Sequence, residues 1–154
     1  GMPLAYHHHM GTVIETQEDT ERLMEDTHDS VKLTLDTGHM LFAKGDSKKI
    51  FENYNSRIKH VHCKDIRKNV LEKSLKEDLS FREAFLEGAF TVPGDGCIDY
   101  KPLFDILKKN KYSGWLVVEA EQDPQKANPL EYAIKGYKYL TETLKKSNIE
   151  IDTN

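Results

Sequence analysis

Residues 31–64 read VKLTLDTGHMLFAKGDSKKIFENYNSRIKHVHCK, and this stretch decides the fold class. Its two ends, residues 31–36 and 58–64, are rich in β-branched and apolar residues, as buried parallel strands are. Between them, Gly45 and Asp46 form a turn ahead of a helical pattern over residues 47–54. The stretch therefore predicts a βαβ unit, in which a helix connects two parallel strands.

The same alternation continues on both sides of this unit. Residues 4–9 and 115–119 have strand character as well, so the sequence predicts an α/β protein with about four parallel strands. Periodicity alone leaves open whether the strands form an open doubly wound sheet or part of a barrel. Residues 65–78 are charged with few core candidates, and we interpret them as a functional loop or insertion.

The remaining helices are predicted from their capping residues. Thr16 is expected to cap a helix over residues 17–26, Ser80 opens a capping box for a helix that ends near Gly88, and Asp99 caps a third helix. The final helix is predicted to begin after an N-cap at Asn128, with Pro129 first, and to bury an apolar stripe of Leu130, Ile134, Tyr137 and Leu144.

Length and composition indicate one ordinary domain over residues 1–154, with a polar, frayed tail over residues 147–154. A net charge of −4 gives no basic surface for nucleic acid, and no apolar run is long enough for a membrane helix. We expect a cytoplasmic protein, because no secretory signal is visible, with Cys63 and Cys97 reduced. Phosphate-binding glycine motifs are absent from the sequence, which sets nucleotide binding aside.

Groups able to bind metal or move protons follow all four predicted strands. In parallel α/β proteins the carboxyl ends of the strands share one edge, so these groups should converge there. A mixed set of imidazoles and carboxylates suits Mn²⁺, Co²⁺, Zn²⁺ or Fe²⁺ better than Ca²⁺. The residues are His7 and His9, Asp36 and His39, His60 and His62, and Glu119 and Glu121.

Each of these residues also has a structural interpretation. Asp36 could cap a turn before Gly38, and we interpret His8, His28 and His60 as hydrogen-bonded structural histidines. Glu119 is harder to explain in this way, because a carboxylate in an apolar strand is costly to bury without a metal or another cation. We interpret Cys63 as a small buried hydrophobe rather than a nucleophile.

Five motifs together resemble the inosose dehydratase family of xylose-isomerase-like barrels. The resemblance runs over nearly the whole chain, and the motifs fall in the order that this family has. They are HHHMGT at 7–12, DTGH at 36–39, HVHCKD at 60–65, FTVPGDG at 90–96 and GWLVVEAEQDP at 114–124.

The resemblance implies a divalent metal, with Mn²⁺ or Co²⁺ first and Zn²⁺ or Fe²⁺ as alternatives, held by Asp36, His62 and Glu119. The fourth ligand is usually a glutamate in the broader superfamily, and here His7 stands at that place. His9 lies on the same face as a substitute ligand or a substrate contact. The implied reaction is loss of water from 2-keto-myo-inositol through an enediolate. Glu121 and His39 are the candidate proton carriers, and Lys64 or Arg67 is available to hold substrate oxygens.

Barrels of this type need eight strands and roughly 250 residues, so the resemblance covers the C-terminal half of a (β/α)₈ barrel. Open edges and inner faces would invite a second chain, and we expect a homodimer or a higher oligomer. Two alternatives to the dehydratase remain: a sugar isomerase or epimerase of the same superfamily, and an inactive half-barrel fragment that binds metal. For the dehydratase and for the isomerase or epimerase, the expected partner is a small cyclitol or sugar.

Overall fold

The computed structural model describes residues 4–152. Within that range the strands are β1 (Leu4–His7), β2 (Val31–Asp36), β3 (Ile58–Cys63), β4 (Asp65–Ile66), β5 (Phe90–Thr91) and β6 (Trp115–Val118). Four of them form one parallel sheet in the order β1-β2-β3-β6, and β4 and β5 form an antiparallel pair. The predicted strands are confirmed, although three of them end one or two residues earlier than expected.

Helices flank the main sheet, and most of them begin at the predicted caps. Thr16 and Ser80 each form a complete capping box, and Asp99 caps the helix that follows it. None of the helices in residues 4–152 combines the length and apolar composition needed to cross a bilayer. The helices are α1 (Gln17–Asp26), α2 (Thr37–Phe42), α3 (Ser47–Tyr54), α4 (Lys68–Glu77), α5 (Phe81–Glu87), α6 (Tyr100–Lys109) and α7 (Pro129–Lys146).

The interpretation of residues 65–78 as a loop is wrong, because β4 and α4 occupy this stretch. Val70 and Leu71 of α4 pack in a small second core with Phe90 of β5. Most of the charges that suggested a loop, among them Lys68, Glu72 and Lys76, lie on the exposed face of α4, whereas Asp65 is buried in β4. A few apolar residues on the inner face are therefore enough to hold the helix in place.

The two faces of the main sheet differ in polarity. Leu33, Leu35 and Val61 belong to the main core between the sheet and the helices. Because strand side chains alternate, Asp36 and His62 point to the opposite face, and they are register partners across β2 and β3. The helices thus cover the apolar face, while the other face carries the polar side chains.

Helix α7 starts as predicted but buries a different face. The Asn128 side chain accepts hydrogen bonds from the amides of Leu130 and Glu131. Leu144 is buried, but the expected burial of Leu130, Ile134 and Tyr137 is wrong, since all three are exposed. The reason is Gly136, where an added Cβ would come within 2.6 Å of Val118, so the helix presents its glycine to the sheet.

The predicted tail, residues 147–154, is packed where it begins. Ser147 is buried, and Ile149 lies against the main core while its amide donates to the carbonyl of Leu144 at 3.0 Å. Residues 153 and 154 lie outside the described range.

Arg57, just before β3, ties the sheet to the end of α1. Its buried guanidinium donates to the carbonyl oxygens of Met24, Val31 and His28 and to the Thr27 hydroxyl. These carbonyls lie at or beyond the end of α1, where helical hydrogen bonding stops. Arg57 therefore replaces a helix cap by a contact that crosses from one element to another.

Candidate metal centre

The side chains that follow the four strands of the main sheet come together at its carboxyl edge, which we call the carboxyl rim. Of the eight residues predicted to converge there, seven supply atoms to metal-ligand clusters within the described residues. His60 does not, although its ring centroid lies 5.2 Å from that of His62. Lys64, predicted as a substrate contact, also lies at the rim. Within the described residues, ligand atoms form three clusters in which all atoms lie within 4.8 Å of one another. The clusters are Asp36–His62–Glu119, His7–Asp36–His39 and His9–His39–Glu121.

Asp36 combines both roles considered for it. Its Oδ1 accepts the amides of Gly38 and His39 at 2.9 Å each, which caps α2. Its Oδ2 faces the rim, 3.2 Å from His7 Nε2 and 3.5 Å from His62 Nδ1. One oxygen thus fixes the side chain and leaves the other for a ligand.

His62 Nδ1 and Glu119 Oε2 are two ligand atoms that make no well-directed hydrogen bond in the described part of the chain, although Lys64 Nζ lies 3.3 Å from Glu119 Oε2. His62 Nδ1 lies 2.8 Å from Glu119 Oε2, yet both atoms are shielded from solvent and neither makes a well-directed hydrogen bond among the described residues. The contact between these two atoms is therefore an ion pair rather than a well-directed hydrogen bond. Together with Asp36 Oδ2 they form a nitrogen-and-oxygen set that fits a divalent transition metal.

The charge state of these residues follows from their contacts. Burial opposes ionisation of Asp36, but His62, His7 and Lys64 hold its pKa well below the usual range. Burial also lowers the pKa of His62, but the carboxylates of Asp36 and Glu119 outweigh it and raise that pKa to about 9. In the absence of a metal, a proton on His62 therefore offsets part of the carboxylate charge.

Lys64 lies at the centre of the rim and is wholly buried. Its Nζ is 2.9 Å from Glu121 Oε2, 3.2 Å from Asp36 Oδ2 and 3.3 Å from Glu119 Oε2. Burial opposes the charge, but these three carboxylates raise the pKa of Lys64. Lys64 is thus a cation that offsets the cost of burying the Glu119 carboxylate, as expected from the sequence.

Glu121 contacts two histidines in addition to Lys64. Its Oε1 lies 3.2 Å from His9 Nε2, and its Oε2 lies 3.3 Å from His39 Nε2. Burial raises the pKa of Glu121, but His39 and Lys64 lower it to about 2. His39 is wholly buried and its pKa is lowered, chiefly by burial, so it is neutral near pH 7.

His8 is a structural histidine, as interpreted. The ring is buried, and its Nε2 accepts the amide of Asp36 at 3.1 Å. Burial lowers the pKa of His8 to about 3. His28, also interpreted as structural, lies at the surface and pairs with Ser30.

Arg67 is the predicted site residue that the structure places away from these clusters. Its guanidinium donates to Asp95 Oδ2 at 2.7 Å, to the Gly88 carbonyl oxygen at 2.7 Å and to Thr91 Oγ1 at 3.0 Å. These contacts join β4 to β5 and to the turn after β5. Two residues link this group toward the rim: Gln122 donates to Thr91 Oγ1 at 3.3 Å, and Phe90 accepts from Arg67 at 3.4 Å while its ring packs against His39.

Two residues that support Lys64 were not found from the sequence. Thr37 Oγ1 lies 2.7 Å from the Lys64 carbonyl oxygen and accepts the Lys64 amide at 3.1 Å. The Tyr100 hydroxyl donates to the same carbonyl at 3.0 Å. Both residues act on the backbone of Lys64, and no sequence motif signals such a contact.

The two cysteines are free, as expected. Cys63 is buried in the main core, and burial raises the pKa of its thiol, so the interpretation as a small hydrophobe is confirmed. Cys97 is exposed.

Comparison with known proteins identifies relatives along most of the sequence. Residues 1–143 match the family profile of the xylose isomerase-like TIM barrel. Inosose dehydratase from Clostridium beijerinckii is 54% identical over 143 residues, which are 92% of this chain and 48% of the relative. Inosose dehydratase from Histophilus somni is 52% identical over 145 residues, 92% of this chain and 49% of the relative. The chain thus spans about half the length of the curated relatives that it matches.

Solved structures share the fold at low sequence identity. The IOLI protein with a binding zinc atom aligns with a TM-score of 0.69 and 20% identity, over 96% of this chain and 50% of that one. The probable 3-DHS dehydratase AsbF from Bacillus anthracis aligns with a TM-score of 0.67 and 18% identity, over 91% of this chain and 49% of that one. The predicted fold class, half of a (β/α)₈ barrel, and the predicted resemblance to inosose dehydratases are confirmed.

Proposed function

Because the chain belongs to the xylose isomerase-like TIM barrel family, we propose that its carboxyl rim serves the metal-dependent dehydration of a keto-cyclitol, with 2-keto-myo-inositol as substrate. The observation that carries the proposal is the pair of shielded donor atoms, His62 Nδ1 and Glu119 Oε2, beside Asp36 Oδ2. The relatives named inosose dehydratase support the substrate class.

Asp36, His62 and Glu119 would hold the metal, with His7 as the fourth ligand. His7 Nε2 lies 3.2 Å from the rim oxygen of Asp36, and the His7 and His62 rings have their centroids 4.7 Å apart. Manganese and cobalt are our first choices, with zinc and iron as alternatives, since all four accept such a ligand set. When bound, the ion would supply Lewis-acid polarisation of the substrate ketone.

We assign proton transfer to Glu121 and to His9, in place of the His39 that was predicted from the sequence together with Glu121. His9 Nδ1 lies 2.8 Å from the Met10 carbonyl oxygen, so Nδ1 carries a hydrogen and donates it. His9 Nε2 lies 3.2 Å from Glu121 Oε1, so the two side chains are within proton-transfer distance of each other. In our proposal Glu121, which its contacts keep ionised, accepts the proton from the carbon beside the ketone, whose acidity a bound metal would raise, and His9 supplies the proton that leaves with the departing hydroxide as water.

The sequence predicted proton transfer for His39 and substrate binding for Lys64, but in this proposal both residues act through Glu121 instead. Both side chains are wholly buried, so they reach the carboxylate rather than the solvent-facing side of the rim. Their contacts to Glu121 Oε2 hold the carboxylate in one orientation and leave Oε1 toward His9.

The test is a dehydration assay on the purified chain with Mn²⁺ or Co²⁺ and 2-keto-myo-inositol, with the dione detected by mass spectrometry. We expect Glu119→Gln to lose activity together with metal binding, and Glu121→Gln to lose activity while it still binds metal. Glu142→Gln, on the exposed face of α7, is the control. Equal turnover by Glu119→Gln and the wild type would refute the proposal.

Epimerisation of a ketose is the second candidate, because it also begins with removal of a proton beside a ketone. The contact between His9 and Glu121 would serve this reaction too. The two activities are distinguished by product analysis with inosose and with ketoses. Metal binding without either product would identify the chain as a non-catalytic metal-binding half-barrel.

We also propose that two copies of the chain associate through the edges of the main sheet. Within the described residues β1 and β6 are the edge strands, and they expose Leu4 and Trp115. A two-fold axis parallel to the strands would place β6 of one copy beside β1 of the other in the parallel direction. Sedimentation of a monomer at micromolar concentration would refute the association. Trp115→Lys should weaken it, whereas Val13→Lys, on an exposed loop, should not.

A further inference from the structure

We propose that the ammonium of Lys64 takes the place of a second metal ion, and that His9, His39 and Glu121 form a latent second metal site which Lys64 keeps closed. The inference extends the proposed function, because it assumes that Asp36, His62 and Glu119 form the site of the first ion.

The latent site has a complete ligand set. Its nitrogen and oxygen atoms all lie within 4.8 Å of one another, and both histidine Nε2 atoms lie within 3.3 Å of a Glu121 oxygen. Two imidazoles with one carboxylate are a common arrangement around catalytic zinc. His9, His39 and Glu121 thus have the geometry of a metal site, provided that no other group lies between their ligand atoms.

Lys64 occupies that space. Its Nζ lies 2.9 Å from both His39 Nε2 and Glu121 Oε2, which are two of the three ligand atoms. The side chain reaches this position along Gly38, where an added Cβ would come within 2.7 Å of Lys64 Cγ. The absence of a side chain at Gly38, at the start of α2, therefore leaves room for the aliphatic part of the Lys64 side chain. Packing as well as charge holds the ammonium in place.

The charge of the rim also favours one metal ion with Lys64 rather than two ions. Asp36, Glu119 and Glu121 carry three formal negative charges, which one divalent ion and one ammonium neutralise. A second divalent ion beside Lys64 would leave a buried excess of two positive charges, which is costly in a shielded site. Without the ammonium, two divalent ions would leave an excess of only one positive charge.

The experiment counts ions per chain by equilibrium dialysis against Co²⁺ and elemental analysis. We expect one ion for the wild type, two for Lys64→Met, and one for Lys64→Arg, which keeps the positive charge. Lys59→Met changes an exposed lysine on the same strand and should also bind one ion. Glu121→Gln in the Lys64→Met background should return the count to one, because it removes the carboxylate of the latent site.

The gain of one ion in Lys64→Met over the wild type is the test of this inference, and the absolute number in the wild type tests the proposed function. A wild type that binds no ion would refute the metal centre of the proposed function, whereas the gain would still decide the role of Lys64. A folded Lys64→Met variant with no gain overturns the inference, and so does a wild type that binds two ions. If circular dichroism shows that Lys64→Met does not fold, Lys64→Gln takes its place with the same expected gain.

Discussion

Replacement of His8 should change how the stability of the protein depends on pH. His8 is buried with its neutral Nε2 accepting the Asp36 amide, and burial lowers its pKa from the ordinary 6.5 to about 3. As the pH falls below 6.5, the unfolded chain takes up a proton at this position and the folded chain does not. The stability that neutral His8 provides above pH 6.5 is therefore lost progressively toward pH 3.

The magnitude follows from the size of the interval. Each pH unit between the unfolded and the folded pKa costs about 1.4 kcal/mol for one group. On acidification from about pH 7.5 to about pH 5.5, only the final pH unit lies below the pKa of His8 in the unfolded chain. His8 should therefore account for a loss of about 1.4 kcal/mol in the free energy of unfolding. His8→Gln, which has no titrating group, should lack this part of the loss.

Urea unfolding at the two pH values, followed by circular dichroism, measures the effect. On acidification, the unfolding free energy of the wild type should fall by about 1.4 kcal/mol more than that of His8→Gln. His28→Gln is the control, because His28 lies at the surface, and this variant should keep the wild-type dependence. A constant difference between the wild type and His8→Gln would refute the assignment of a neutral, buried ring.

Three further predictions concern other parts of the molecule. Arg57→Ala should lower the unfolding free energy by about 3 kcal/mol in urea unfolding, since several buried carbonyls lose their donor, and the exposed Arg22→Ala should have little effect. Gly136→Ala should cost about 2 kcal/mol in the same assay, because its Cβ would press on Val118. A stable variant would show that α7 can move away from β6. Metal binding at neutral pH should release about one proton, since the pKa of His62 is about 9 and its ring nitrogen must lose a proton before it can bind the metal. Titration calorimetry in buffers of different ionisation enthalpy measures this release. No release would show that His62 is not a ligand.

The strands and the carboxyl rim were predictable because their signals are local. A short apolar run followed by a polar residue marks the end of a buried strand, and parallel strands bring such ends together. Asp36, His62 and Glu119 were found in this way, and the structure places them in one cluster. The capping residues Thr16 and Asn128 were found because a cap is a contact within a few residues.

The features that were missed depend on contacts between distant parts of the chain. Helix α4 was hidden by its charged outer face, since the few apolar residues that hold it pack against β5, which was not predicted either. The rotation of α7 depends on the fit of Gly136 against Val118, and a stripe of apolar letters cannot show it. The position of Lys64 between three carboxylates likewise results from residues on three strands.

The most direct test of the metal centre is anomalous diffraction from crystals of the chain grown with Co²⁺. Our proposal predicts one strong peak at bonding distance, about 2.1 Å, from Asp36 Oδ2, His62 Nδ1 and Glu119 Oε2. A peak between His9, His39 and Glu121 instead, or no peak within the carboxyl rim, would contradict it.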